Sequence, residues 1–345
     1  MELAILFGGA SFEHEISIVS AITLKEKLER FDLTFLFCDQ EHRFYRIEAE
    51  AMTAKTFASG AYRKMPQLTP ERGGFALKKR FSSRLLTMPV LNLIHGADGE
   101  DGTIAALLDF YAIPYIGPRP AASVLSFDKR YTKWLADALQ IHSVAYEELY
   151  ADAPRKITTP MPCIVKPIRL GSSIGVSVVR RESDLAYALD VAFEFDECVI
   201  VEPFVEGVKE YNLAGYRGRK GMVFSIVEEP QKSEFLDFDK KYLDFSRTAS
   251  VHAAELGSEM VERLKAAFER IYTHRFEGAL IRCDFFVIDG EVHLNEINPI
   301  PGSMANYLFD DFEGAIRELL SVQPERRAPK VDYRYIHSIH AAKGK

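Results

Sequence analysis

Apolar residues in this chain fall in short runs, broken by glycines or by polar stretches, and their spacing alternates between that of strands and that of helices. Leu3 to Phe7 (LAILF) reads as a buried strand and Gly8-Gly9 as a turn. From about Glu13 to Arg30 the spacing is helical, with Ile16, Val19, Ser20 and Thr23 on one face and Ser11 as the N-cap. LTFLF is a second strand, and the polar stretch 48–83 is assigned no element. MPVLNLIHG, TIAALLDFY and IPYIG then read strand, helix, strand up to a boundary at Gly117-Pro118. Such alternation predicts a parallel sheet covered on both faces.

A helix over 123–139 follows, carrying Trp134, and then a proline-bearing connection over 151–162. Strands PCIVKP and VSVV are joined by the glycine loop Leu170 to Gly175, and are followed by the helix SDLAYALDVAFEF and the strand CVIVEPFVEG. The last third adds further strands, a polar loop over 230–250, a helix from about Gly257 to Arg275, and the hairpin IRCDFFVIDGEVHLNEIN. The pattern as a whole predicts an α/β protein in three lobes: 1–118, 119–206 and 207–345.

The hairpin carries the densest candidate chemistry. Side chains alternate along a strand, so Arg282 and Asp284 share a face, as do Glu296 and Asn298. A three-residue loop, Ile288-Asp289-Gly290, pairs Val287 with Glu291, sets Arg282 opposite Glu296 and puts all four on one face. A two-residue Asp289-Gly290 turn splits the pairs across the sheet. We expect the first. Two carboxylates and an amide oxygen on one face are hard oxygen donors suited to Mg²⁺, and Arg282 beside them can hold a developing anion. The same residues form salt bridges on an ordinary solvated face; the apolar neighbours Ile297, Pro299 and Pro301 favour the chemical reading.

Four other segments hold candidates with a plainer reading beside each. In CIVKPIRLGSSIG a strand delivers Lys166 ahead of a glycine-serine loop, which suits either a phosphate or a hairpin turn. Glu202 ends the strand of VIVEPFVEGVKEYN and Glu210 follows on a later one, as an adenine slot or as a simple strand end. In LFGGASFEHEIS, Glu13 stands at a helix start, where it complements the helix dipole or meets a substrate ammonium. In NLIHGADGEDG, His95 lies at a strand end before a glycine-rich loop, which is where open parallel sheets bind ligands; a lone histidine is also commonly structural.

Composition narrows the class. A chain of 345 residues suits two or three lobes. Lys plus Arg is 43 and Asp plus Glu is 50, so the net charge is 43 − 50 = −7, which argues against a nucleic-acid partner. No apolar run approaches membrane-spanning length. Cys38, Cys163, Cys198 and Cys283 lack metal-ligand spacing and sit in apolar runs, so buried, reduced thiols in a cytoplasmic protein are expected.

In order along the chain, LFGGASFEHEIS, NLIHGADGEDG, FDKRYTK, IVKPIRLGSSIG, VEPFVEGVKEYN, DFDKKYLDFSR, IRCDFF and NEINPIPGSMAN resemble the D-alanine–D-alanine ligases of the ATP-grasp superfamily, a likeness that runs to about Phe312. The resemblance implies a three-lobed ATP-grasp fold with an N-terminal parallel α/β domain, and ATP-dependent joining of two D-alanines through an acyl phosphate, for peptidoglycan precursor synthesis. A related D-alanine–D-lactate ligase would share every ATP residue. By the same resemblance Lys129, Lys166 and Lys241 contact phosphates, Glu202 with the backbone at Phe204 and Val205 contacts adenine, and Glu210 contacts ribose. Asp284, Glu296 and Asn298 match ligands of two Mg²⁺ (or Mn²⁺) ions. Glu13 and His95 match the first-substrate site, Arg282 and the N–H of Gly302 the oxyanion site, and Ser172 and Tyr242 a hydrogen-bonded set with Glu13. A homodimer without membrane or nucleic-acid partners is implied. Two positions depart from the family: Pro299 stands where Thr is usual, and Tyr307 where a Ser often contacts the second substrate.

Overall fold

The computed structural model describes residues 1–79, 82–230, 251, 253–325 and 329–343. The N-terminal region begins with β1 (Glu2–Gly8), α1 (His14–Lys27), β2 (Asp32–Cys38), β3 (Phe44–Ile47) and a short helix α2 (Ala54–Ala58). It continues with β4 (Gln67–Glu71), β5 (Gly74–Lys79), β6 (Ser82–Leu86), β7 (Val90–Asn92), α3 (Thr103–Phe110) and β8 (Tyr115–Ile116). These strands form one sheet in the order β6-β5-β4-β3-β2-β1-β7-β8. The expected parallel pairing holds for β2-β1-β7-β8. The other half is antiparallel and is built largely from the polar stretch that was assigned no element. In QLTPE only Leu68 is buried, so that strand carries no apolar run.

The chain then forms α4 (Pro120–Phe127), α5 (Lys129–Ala138), β9 (His142–Ser143), β10 (Glu147–Tyr150), β11 (Cys163–Pro167), β12 (Ser177–Val179), α6 (Leu185–Phe193) and β13 (Cys198–Pro203). The single helix expected over 123–139 is two, broken at Asp128, whose carboxylate accepts the Arg130 N–H at 2.9 Å and caps α5. A second sheet has the order β10-β13-β11-β12 and is antiparallel throughout. The remaining elements are β14 (Lys209–Gly218), β15 (Gly221–Glu228), α7 (Ser258–Tyr272), β16 (Ile281–Ile288), β17 (Glu291–Asn298), a 3-10 segment (Gly302–Leu308), α8 (Phe312–Ser321) and α9 (Arg334–Lys343). The third sheet runs β15-β14-β16-β17-β9, so a strand from within 119–206 closes the sheet of the last third. Leu3, Ile5 and Phe7 share a core with Ala214, Tyr216, Met304 and Ile316, which locks the first sheet to the third.

The hairpin differs from expectation. Ile288 pairs with Glu291, leaving the two-residue turn Asp289-Gly290 with both φ values positive, 52° and 79°. That is the backbone of a type I′ turn, whose twist matches the flanking strands. A bulge beyond the Phe285–Leu294 pair, with Asn295 as the extra residue, then shifts the register. Asp284 therefore lies opposite Glu296, and Arg282 opposite Asn298 rather than opposite Glu296. The four still share one face, because the bulge undoes the split that the tight turn alone would impose. All four cysteines are buried and unpaired.

Candidate active site

The start of α1 places Glu13 where three loops meet. Ser11 does not cap the helix as expected: its hydroxyl accepts the Glu13 N–H at 3.1 Å and donates to the His95 carbonyl at 2.8 Å, tying the first glycine loop to the one after β7. Ser172 donates to Glu13 Oε1 at 2.5 Å. A Cβ at Gly96 would lie 2.9 Å from Glu13 Oε2, and one at Gly171 would lie 3.0 Å from Oε1, so both glycines leave room for the carboxylate. Oε2 is buried and has no hydrogen-bond partner among the described residues. Burial, reinforced by nearby Glu100, raises the Glu13 pKa to about 7.

His95 and Glu100 complete this corner. His95 Nδ1 is 3.4 Å from a Glu100 oxygen, and its Nε2 is 3.1 Å from Ser20 Oγ. Burial lowers His95 to about 4, so its ring is neutral at pH 7, and raises Glu100 to about 8 against the Gly96 N–H that favours its anion. Ser20 Oγ also accepts the Ser303 N–H at 3.1 Å. Ser303, Met304 and Ala305 all adopt left-handed φ values of 46° to 54°, a conformation that L side chains avoid. Their burial and the Met304 N–H bond to the Pro301 carbonyl at 2.7 Å hold this turn just after Gly302. Ser20 and Glu100 were not singled out from sequence. Glu100 lies within the quoted NLIHGADGEDG, and Ser20 was noted only for helical spacing.

On the hairpin, Arg282 donates from Nε and Nη2 to the two Asp284 oxygens at 2.6 and 2.8 Å, and Asn298 Nδ2 donates to Oδ2 at 3.0 Å. Burial raises the Asp284 pKa, and the facing Glu296 carboxyl adds to it, while Arg282 opposes both. Among the described residues no group of three His, Cys, Asp or Glu side chains is placed to hold a metal. The set here is two carboxylates and one amide. It fits a cation of the Mg²⁺ class, which takes one or two carboxylates and completes its shell with water and phosphate oxygens. Tyr307 is largely buried and faces the Arg282 guanidinium.

Lys129 and Lys166 approach from the second region. Lys129 donates to the Leu170 carbonyl at 2.6 Å, and its ammonium lies within electrostatic reach of Glu296, Lys166, Glu13 and Glu202, charged groups from all three regions. Lys166 on β11 and Glu202 on β13 are diagonal neighbours across an antiparallel pair and form an ion pair at 2.5 Å. Lys133, one turn after Lys129, pairs with the other Glu202 oxygen at 2.5 Å; in the sequence a lysine four residues beyond another reads as a solvated face and carries no signal of this contact. Burial opposes the Glu202 anion, yet the two lysines hold its pKa at about 2. Phe204 and Val205 follow Glu202 toward β14, with the Phe204 N–H bonded to the Pro162 carbonyl at 2.9 Å; Glu210 lies on β14 within electrostatic reach of Lys166. Lys241 and Tyr242 lie outside the described residues.

A family model described as "D-ala D-ala ligase N-terminus" matches residues 2–118, and one described as "D-ala D-ala ligase C-terminus" matches 139–311. A D-alanine–D-alanine ligase of Sulfurimonas denitrificans is 63% identical over 345 residues, spanning 100% of each chain. The crystal structure of the Helicobacter pylori D-alanine–D-alanine ligase superposes with a TM-score of 0.84 at 46% identity, over 95% of this chain and 100% of that one. D-alanyl-alanine synthetase A from Vibrio cholerae gives a TM-score of 0.74 at 28% identity, over 93% and 97%. With two family models covering most of its length, full-length relatives and a site assembled from all three sheets, the chain belongs to the D-alanine–D-alanine ligase family.

Proposed function

We propose that this chain joins two D-alanine molecules into D-alanyl-D-alanine at the expense of ATP, in the cytoplasm and as a homodimer, using lobes 1–118, 119–206 and 207–345. The observation that carries the reading is Glu13, a buried carboxylate with one oxygen on Ser172 and the other lacking a partner among the described residues. An ammonium group brought against that oxygen supplies the missing contact and favours the ionised form. Glu13, oriented by Ser172 and flanked by neutral His95, binds the ammonium of the first D-alanine.

The carboxylate of that D-alanine attacks the γ-phosphorus of ATP. The new O–P bond forms as the bond to the ADP oxygen breaks, which leaves an acyl phosphate. Lys129 and Lys166 hold the phosphates; Glu202, with the backbone at Phe204 and Val205, holds adenine, and Glu210 holds ribose. Lys241 and Tyr242 join these sets on the strength of sequence resemblance alone. The ammonium of the second D-alanine gives up a proton to solvent, and the freed amine attacks the carbonyl carbon; the C–N bond forms, phosphate departs with the bonding pair, and the nitrogen's second proton leaves with it. Arg282 and the Gly302 N–H stabilise the oxyanion formed on the way, and Tyr307 steadies Arg282 beside the second substrate. Asp284, Glu296 and Asn298 would hold the Mg²⁺ or Mn²⁺ ions, two by the family resemblance, and these would supply neutralisation of phosphate charge.

The test is D-alanine-dependent ADP release in Mg²⁺, with the product identified by mass. The dipeptide is expected. ADP release that ignores D-alanine, or equal turnover of L-alanine, overturns the reading.

A further inference from the structure

Among the described residues, Lys133 is the most deeply buried lysine of the site, at 2% exposure, and the proposed steps give it no substrate to touch. Its ammonium reaches Glu202 Oε1 at 2.5 Å and the Val144 carbonyl at 3.1 Å, and it lies 6.0 Å from the Tyr146 ring centre. Lys166 takes the other Glu202 oxygen at 2.5 Å. The two lysines differ in what else they face. Lys166 is also attracted by Glu296 and Glu210, toward the phosphate end of the site. Besides Glu202, Asp137, a turn further along its own helix, also attracts Lys133. Lys133 is thus directed chiefly at Glu202 and the neighbouring Val144 carbonyl, whereas Lys166 is shared with the phosphate end.

Resting on the reading of Glu202 as the adenine contact, the geometry points to Lys133 as a positioning residue that sets base selectivity. By pinning Glu202 as a hydrogen-bond acceptor, it favours a purine with a 6-amino group over one with a 6-oxo group. The chemistry is that of the carboxyl group. Ionised, it only accepts; protonated, it offers one donor. A 6-amino group donates and a 6-oxo group accepts, so the charge state of Glu202 decides which base it satisfies. Burial by itself favours the protonated form, and here the lysine pair overrides burial. Lys133 also leaves Lys166 less tightly held by Glu202 and freer to meet phosphate: two cations share one anion, and the trio keeps a net positive charge.

The experiment uses the full chain and measures kcat/KM with ATP and with ITP, in D-alanine-dependent nucleoside diphosphate release, for wild type and Lys133→Met. Lys133→Gln, which keeps a donor without the charge, carries the same comparison should the Met variant lose its near-UV circular dichroism. Wild type is expected to favour ATP. Either variant is expected to narrow the ATP-to-ITP ratio about tenfold, the effect of weakening one charge-assisted hydrogen bond, through KM for nucleotide and with KM for D-alanine unchanged. A folded variant that loses activity with both nucleotides in equal proportion, or keeps the wild-type ratio, overturns the role given to Lys133. A wild type that uses ATP and ITP equally well overturns the adenine contact at Glu202 itself, and the role of Lys133 with it.

Discussion

Glu13 weakens the fold that holds it. Its folded pKa of about 7 lies above the ordinary carboxylate value of 4.5, so between those limits the native state binds more protons than the unfolded chain. The sign follows: the contribution to stability is fully present below about pH 4.5 and is lost as pH rises through 7. Glu13→Gln removes the charge and keeps the shape. It is expected to be more stable than wild type at pH 8 by a few kcal/mol at most in unfolding free energy, with the gap closing as pH falls toward 4.5. The same variant is expected to lose roughly a hundredfold in kcat/KM for D-alanine, since one charged contact is worth about 3 kcal/mol. Glu296→Gln separates binding charge from fold in another way. Its partner Asp284 keeps Arg282 and Asn298, so the variant is expected to retain its melting midpoint while turnover in Mg²⁺ falls about a hundredfold or more. Near-normal turnover would remove Glu296 from the metal set. Glu13 was legible because it stands at a helix start after a glycine turn, and Arg282 and Asp284 because they alternate with apolar residues along one strand. Lys133, Ser20 and Glu100 were not, because their meaning depends on partners far away in sequence.

The β16–β17 hairpin illustrates what an element reveals about itself. Asp289-Gly290 between two apolar runs is the composition of a type I′ turn, and that signal outweighs the three-residue loop inferred from the need to gather the polar groups. The bulge was also written in the chain. Val292 and Leu294 are buried two apart, and the next buried residue is Ile297, three further on. A strand that keeps facing one core changes phase only by inserting a residue. Strands β4 and β6 left no comparable trace, because each buries a single residue and the rest read as polar surface. Gly290 carries a testable share of the turn. Its φ is +79°, and an added Cβ would meet nothing within 4 Å, so the penalty of Gly290→Ala is conformational and not steric. The expected loss is about 1 kcal/mol of unfolding free energy, read by denaturant titration, with kcat held within about twofold because one face still gathers the four residues. A larger fall in kcat would mean that the turn, rather than the bulge, sets the register of the site.

At the scale of the whole molecule, no single sheet owns the site. Glu13 and His95 come from the first region, Lys166, Ser172 and Glu202 from the second, and Arg282, Asp284 and Glu296 from the third. Such a site exists only when the regions are assembled, and the order of motifs along the chain made that assembly readable as a family resemblance before any contact was known. The distances were not readable, since they depend on a core in which Phe7 and Leu308 pack together. The consequence is linkage. A ligand that binds only the assembled state stabilises it by RT ln(1 + [L]/Kd), about 2.7 kcal/mol at a hundredfold excess over Kd. ATP with Mg²⁺ is therefore expected to raise the unfolding midpoint steadily with the logarithm of its concentration. In Lys166→Met the same titration should shift to higher ATP, because the variant removes a phosphate contact and leaves Glu202 with Lys133 alone. D-alanine added alone should stabilise Lys166→Met and wild type alike, and should fail to stabilise Glu13→Gln. Thermal unfolding across a nucleotide series, with and without D-alanine, reads all of these outcomes. A midpoint indifferent to ATP in wild type would place the nucleotide elsewhere than between these lysines and the hairpin.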